Sequence, residues 1–232
     1  AKELGFKKVI GDLILDPIHS PSLVESIVAY YEFRKRDPDL PLLMGVANVV
    51  ELIDADSVGM NALLAGIASE LGIGILLTTE VSDKTKSSVS ELVTATKMMY
   101  LAKKRSSVPK DLSFNLLRLK EKRIVEEPYK TLEKNVVMAR RAVRFKVDER
   151  GYFKIWVDRE QQEIAAAHFG PGKREPEVTV KGKRAEDVVS TIVDMGLVSR
   201  LDHAAYLGIE LQKAELALKT GRGYVQDRPL FE

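Results

Sequence analysis

The sequence has 232 residues, 45% hydrophobic and 30% charged, with a net charge of +2. That is the balance of a globular chain with a buried core, and it excludes wholesale disorder, collagen and coiled coil. No apolar run reaches the roughly 18 residues a membrane helix requires, and the start AKELGFKK lacks the apolar stretch of a signal peptide. The absence of cysteine removes disulfides, thiolate metal sites and a Cys nucleophile, and it suits a reducing, cytoplasmic setting.

The first hundred residues alternate strand and helix signals. Lys8–Leu15 (KVIGDLIL) reads as a buried strand that Asp16-Pro17 stops. Ser20-Pro21 predicts a helix start. Leu23, Ile27, Tyr30 and Arg34 then share one face of a helix running to about Arg36, and Asp37-Pro38 closes it. Leu40–Val46 is the second strand. Asp56-Ser57 opens a helix through Glu70, which Gly72 ends. Ile73–Thr79 is the third strand, and Val89, Leu92, Val93, Thr96 and Met99 mark a helix to about Lys104. Continuous apolar strands separated by helices predict a parallel sheet covered on both faces, with ligands at the carboxyl ends of the strands.

Residues 1–100 carry 9 Lys/Arg against 14 Asp/Glu, whereas residues 101–232 carry 27 against 20. The excess is densest in 103–150, where basic residues interleave with acids and aromatics are few. This reads as a solvated connector rather than a nucleic-acid footprint. Helical stretches are expected near Leu112–Lys122 and Tyr129–Arg141. A second domain follows, with Val143–Val147 and Tyr152–Val157 as a hairpin around Asp148–Gly151. Further strands are expected at Glu163–Phe169 and Glu177–Val180, and helices at Ala185–Met195 and Leu201–Thr220. Ser199 and Asp202 have the spacing of a capping box. The expected division is 1–104, 105–142 and 143–232.

Asp16 and Asn48 stand where the first two strands end. A carboxylate there suits bidentate pairing with a planar N–H edge, but it equally suits a turn. An amide there offers both donor and acceptor, or it satisfies local backbone. Leu15-Asp16-Pro17, Pro41–Asn48, Asn61 with its Ala/Leu-rich helix, and Gly72–Thr79 together resemble the last three strand–helix units of the pterin-binding barrel family. That family contains dihydropteroate synthases and methyltetrahydrofolate-dependent corrinoid methyltransferases. The resemblance covers about residues 4–103. It implies an α/β fold, a partial (β/α) barrel, with a smaller α+β domain after it. It also implies a reduced pterin of folate or methanopterin type as ligand and a place in one-carbon metabolism. Asp16 would grip the pterin ring, Gly45 would line the substrate, and Asn48 would be the catalytic amide addressing a ring nitrogen.

Synthases carry a Gly-x-Ser-Arg-Lys type sequence at the second of these strands and an Arg-x-His pair at the last. Here Gly45-Val46-Ala47-Asn48 and Leu77-Thr78-Thr79-Glu80 stand instead. The former is closer to the methyltransferase Gly-Leu-Ser-Asn, so transfer of a methyl group from a methylated pterin to a corrinoid is the alternative. A non-catalytic pterin-binding or assembly subunit is a third reading. Leu197–Gly208 with Glu210, Lys213, Ala214 and Glu215 resembles an uncharacterised domain that follows such barrels, chiefly in archaeal proteins. Within it, Asp202-His203 reads either as an acid/base pair, with His203 as a lower corrin ligand in one version, or as a cap beside a partly buried His. His spacing matches no zinc site, so no metal is expected.

A complete barrel of this kind needs eight strands and about 250 residues. Together with the missing initiator Met, three units lead to the expectation of either a piece of a longer protein or a natural half that pairs with a partner chain. The unpaired sheet edge is expected to be covered by the connector or by another chain.

Overall fold

The computed structural model describes residues 4–124, 126, 136–139 and 146–231. The chain divides into two units, Ala1–Glu127 and Pro128–Glu232.

In the first unit, strands β1 (Gly11–Asp12), β2 (Leu42–Gly45) and β3 (Ile75–Leu77) form one sheet in that order, and both pairings are parallel. Helix α1 (Leu23–Arg36) connects β1 to β2. Short α2 (Ala47–Val50) and α3 (Ser57–Glu70) lie between β2 and β3, and α4 (Ser88–Lys104) follows. The core joins Leu15, Tyr30, Leu42, Met44 and Val46 with Val49, Val50, Leu64, Ala65 and Ala68, so the apolar run of β2 is buried. The expected cover on both faces fails at β3, where Ile75 and Leu77 stay exposed and Leu76 is only partly buried.

The strands are shorter than the apolar runs. β1 keeps only two residues because Ile14 turns into the left-handed region (φ 59°) and its N–H goes to Asp12 Oδ1 instead of the ladder. Helix α1 starts after Ser22, not Ser20. The Ser22 hydroxyl accepts the Glu25 N–H at 3.2 Å, the bond a cap provides. Arg34 donates to the carbonyls of Asp37, Pro38, Leu40, Leu71 and Gly72, tying the end of α1 to the end of α3. Gly72 follows α3 with φ 65°, as its place after Leu71 predicts. The expected helix at Leu112–Lys122 is absent. Those residues form bends and irregular backbone; Asn115 Oδ1 takes the Leu117 N–H, and Leu116 packs on the core of this unit. Most of the expected Tyr129–Arg141 helix and of the Val143–Val147 strand falls outside the described residues; the described parts, residues 136–139 and 146–147, are in neither helix nor strand.

The second unit holds β4 (Tyr152–Asp158), β5 (Glu163–Phe169) and β6 (Val178–Gly182) in an antiparallel sheet in that order. Helices α5 (Ala185–Asp194) and α6 (Leu201–Thr220) cover one face. Phe153, Ile155, Ile164, Ala166 and Val180 meet Val188, Ile192, Leu207, Leu211 and Ala214 there. The other edge of β4 is capped by a side chain. Gln226 accepts the Ile155 N–H at 2.9 Å and donates to the Phe153 carbonyl at 3.1 Å, so one amide does the work of a strand. The turn before β4 closes at Gly151, whose φ is 113°; a Cβ there would lie 1.9 Å from the Phe169 carbonyl oxygen. Gly151→Ala is therefore expected to destabilise this unit by at least about 2–3 kcal/mol, since both strain and backbone overlap oppose it. Urea unfolding followed by Trp156 fluorescence measures the loss, because the sole tryptophan lies on β4.

Mixed α/β structure with two small sheets is thus what the chain adopts. Among the described residues neither sheet closes into a barrel, and no helix is long and apolar enough to cross a membrane.

Candidate functional site

Parallel strands bring their carboxyl ends to one side, and the segments leaving β1 and β2 meet there. Asn48, on the first turn of α2, donates from Nδ2 to the Leu15 carbonyl at 3.0 Å. Its amide therefore reaches across to the peptide that joins Leu15 to Asp16. Asp16 is half-buried. Its N–H donates to Ser26 Oγ at 3.1 Å, and the same hydroxyl donates back to Asp16 Oδ2 at 2.9 Å. Ser26, buried on α1, thereby fixes the carboxylate. Neither Asp16 Oδ1 nor Asn48 Oδ1 has a partner among the described residues. Two acceptors are left without a partner where the segments leaving β1 and β2 meet, and two such oxygens can accept from a flat edge carrying N–H donors. Gly45 ends β2 beside them, and a Cβ there would be 3.8 Å from Asn48 Nδ2, an ordinary contact.

Glu51, unmarked in the sequence, braces this end of the sheet. Its carboxylate takes the Ser82 hydroxyl (2.6 Å), the Val81 N–H (2.9 Å), the Thr85 hydroxyl (2.9 Å), the Thr79 hydroxyl (3.0 Å) and the Ser82 N–H (3.2 Å). Lys84 adds bonds to the Val50 and Ile53 carbonyls. The loop after β3 is thereby clasped to the loop after β2. These donors, led by the Ser82 hydroxyl and the Val81 N–H, hold the Glu51 carboxyl at about 2, below its ordinary 4.5. Because the folded value is the lower one, the clasp is complete above pH 4.5 and is lost as pH falls through about 2. Glu51→Gln is expected to raise amide exchange at Val81 and Ser82 without changing exchange in α3. Hydrogen exchange read by mass spectrometry checks it. No single-residue motif announces such a role, since the donors arrive from 28–34 residues away.

Asn61 takes no part in the strand-end cluster. It is buried between α3 and α4, where its Nδ2 donates to Ser88 Oγ at 2.8 Å and to Glu91 at 3.1 Å. Ser57, the first residue of α3, donates to Glu91 at 2.7 Å, while Asp56 makes no side-chain cap bond.

In the second unit the sequence pair Asp202-His203 does not interact as an acid/base couple. Asp202 turns to Arg200 at 2.8 Å. His203, buried, places Nδ1 2.9 Å from Asp148 Oδ2. Asp148 is the centre of this cluster. It also accepts the Arg150 N–H, the Ser199 hydroxyl and N–H, and the Arg200 N–H. Ser199 thus cannot complete a capping box; the N-cap of α6 is Arg200, and Asp148 supplies the acceptor from afar. Burial of Asp148 works against its charge, yet the Ser199 hydroxyl, the Arg150 N–H and His203 outweigh it and carry the carboxyl well below the ordinary range. An ionised Asp148 fixes the proton on His203 Nδ1. Among the described residues no group of three or more His, Asp or Glu is set to hold a metal ion.

Comparison with known proteins places this second cluster. Residues 147–227 match the family model described as PterinBD-DUF4346. The chain carries a PterinBD-DUF4346 domain. An uncharacterized protein of Methanocaldococcus jannaschii is 46% identical over 232 residues, covering 99% of this chain and 44% of that protein. A Ycf91-like protein of Nostoc is 32% identical over 106 residues, covering 35% of this chain and 84% of its own length. The chain therefore spans less than half of its archaeal relative. No solved structure matches it. The PterinBD-DUF4346 match begins one residue before Asp148 and takes in β4–β6, α5, α6 and the Gln226 cap, while the strand-end cluster of Asp16 and Asn48 lies outside it.

Proposed function

We propose that the chain binds a reduced pterin of folate or methanopterin type, in cytoplasmic one-carbon metabolism, at the carboxyl ends of β1 and β2. The observation that carries this is the Asn48–Leu15 bond, which holds the amide beside Asp16 across two parallel strands. A pterin's aminopyrimidine edge offers adjacent N–H donors, and Asp16 and Asn48 each keep an oxygen free to accept one. The name of the PterinBD-DUF4346 family, matched over residues 147–227, supports a pterin as the ligand, and the parallel order β1-β2-β3, which suits three consecutive units of a (β/α) barrel, supports its place at these strand ends. Asp16 anchors the ring, Gly45 lines it, and Asn48 addresses a ring nitrogen. Calorimetric titration of the chain with a tetrahydropterin tests this. Saturable 1:1 binding is expected, and its absence at millimolar ligand rules the reading out.

Methyl transfer to a corrinoid is the second reading. It is favoured by an amide, rather than a lysine, at the end of β2. Such transfer requires the methyl-bearing nitrogen to become a better leaving group, and a hydrogen bond from the protonated nitrogen to Asn48 Oδ1 would stabilise the charge that develops. Incubation with a methylated tetrahydropterin and cob(I)alamin, followed by absorbance, distinguishes a methyltransferase from a binding subunit: only the former yields methylcobalamin.

A further inference from the structure

β3 is the last strand of its sheet, and its outer edge has no partner among the described residues. Chains that leave an edge open usually protect it with Lys, Pro or a bulge. Gly72–Thr79 (GIGILLTT) has none of these. Ile75 and Leu77 are instead 36% and 54% exposed, and on α4 Val89 and Val93 are 49% and 46% exposed. Between the strand and the helices α3 and α4 opens a cavity of about 530 Å³, walled by residues such as Ala68, Leu76, Leu92 and Met99, with no charged residue in its lining. An unprotected backbone edge beside an uncharged groove that exposes Leu77, Val89 and Val93 is the signature of a surface that another strand occupies.

We propose that the β3 edge and the adjoining face of α4 dock a parallel strand–helix segment of polypeptide from outside these 232 residues. Parallel addition continues the two pairings already present, and the helix that follows a parallel strand is what covers the sheet face beside it. In the M. jannaschii relative, more than half of the length lies outside the matched region, so chain is available there to supply the segment. A second copy fits less well. Two such edges related by a twofold axis would pair antiparallel over a three-residue strand and leave the α4 groove unfilled. The proposal does not rest on the pterin reading.

Hydrogen exchange across residues 73–79 and 89–96 tests it, measured in this chain alone and at the aligned positions of the full-length M. jannaschii relative. Exchange at least about tenfold slower in the full-length protein is expected. Introducing Leu77→Lys or Val93→Lys at the aligned positions should remove that protection, while either exposed substitution leaves the melting of this chain unchanged. Equal exchange in the two proteins overturns the proposal. So does slow exchange in this chain as a monomer, which means its own residues cover the edge, or protection that rises with its concentration, which means a second copy does.

Discussion

Asp148→Ala is expected to cost the second unit about 3–5 kcal/mol, the range for leaving several buried donors without their charged acceptor. The side chain is fully buried, and five hydrogen bonds from four residues end on it. Three of the donors are backbone N–H groups of the turn before β4 and of the segment entering α6, so water cannot replace the carboxylate without opening both. The melting transition of this unit should fall by roughly 12–40 °C, taking about 4–8 °C per kcal/mol for a domain of this size. Asp148→Asn should lose less, since its Oδ1 still accepts while its NH2 faces donors. The pH dependence has a fixed sign. The native carboxyl lies below its unfolded value, so its contribution is fully present above the ordinary carboxylate range and disappears as acid approaches the depressed native value. Urea melts read by Trp156 measure both effects. A loss under about 1 kcal/mol for Asp148→Ala would mean the cluster does not anchor α6.

That anchor could not be read in the sequence, and the reason is general. Asp148 looks like the first residue of a hairpin turn, and it is one, closing a bridge to Gly151. Nothing local shows that its carboxylate reaches residues 51–55 positions later. Glu51 and Gln226 escape notice for the same reason, each acting on backbone distant in sequence. Features written in local chemistry were legible. Period-two alternation marks Tyr152–Val157, the apolar runs locate β2 and β3, and Gly72 stops α3 because only glycine takes that backbone turn without strain. The errors fall where side chains compete for backbone. Ser22 took the cap expected of Ser20, Asp12 diverted the N–H of Ile14, and Asn115 helped to keep Leu112–Lys122 out of a helix. At the candidate site, the sequence placed Asp16 and Asn48 at strand ends, whereas β1 stops at Asp12 and Asn48 lies on α2. It did not disclose that Ser26 holds one and that the Leu15 carbonyl holds the other.

Those two supports determine what substitution at the site should do. Asp16→Asn is expected to weaken tetrahydropterin binding by about 30–150-fold, equivalent to about 2–3 kcal/mol for loss of a charge-assisted pair. The amide oxygen can still accept the Ser26 hydroxyl, so the fold should be untouched. That orientation turns NH2 toward the ligand's own donors, which replaces an attraction with a clash. Asn48→Ala should cost less, about tenfold, the range of one neutral hydrogen bond, since it removes an acceptor and frees the Leu15 carbonyl to water. If both side chains grip one ring, the two losses are coupled, and the double variant should bind more tightly than their sum predicts. Calorimetry on the three variants, with melting curves on the same samples, provides the cycle. An affinity within about twofold of the parent for Asp16→Asn, in a protein that melts normally, would take the pterin away from this pair of strand ends.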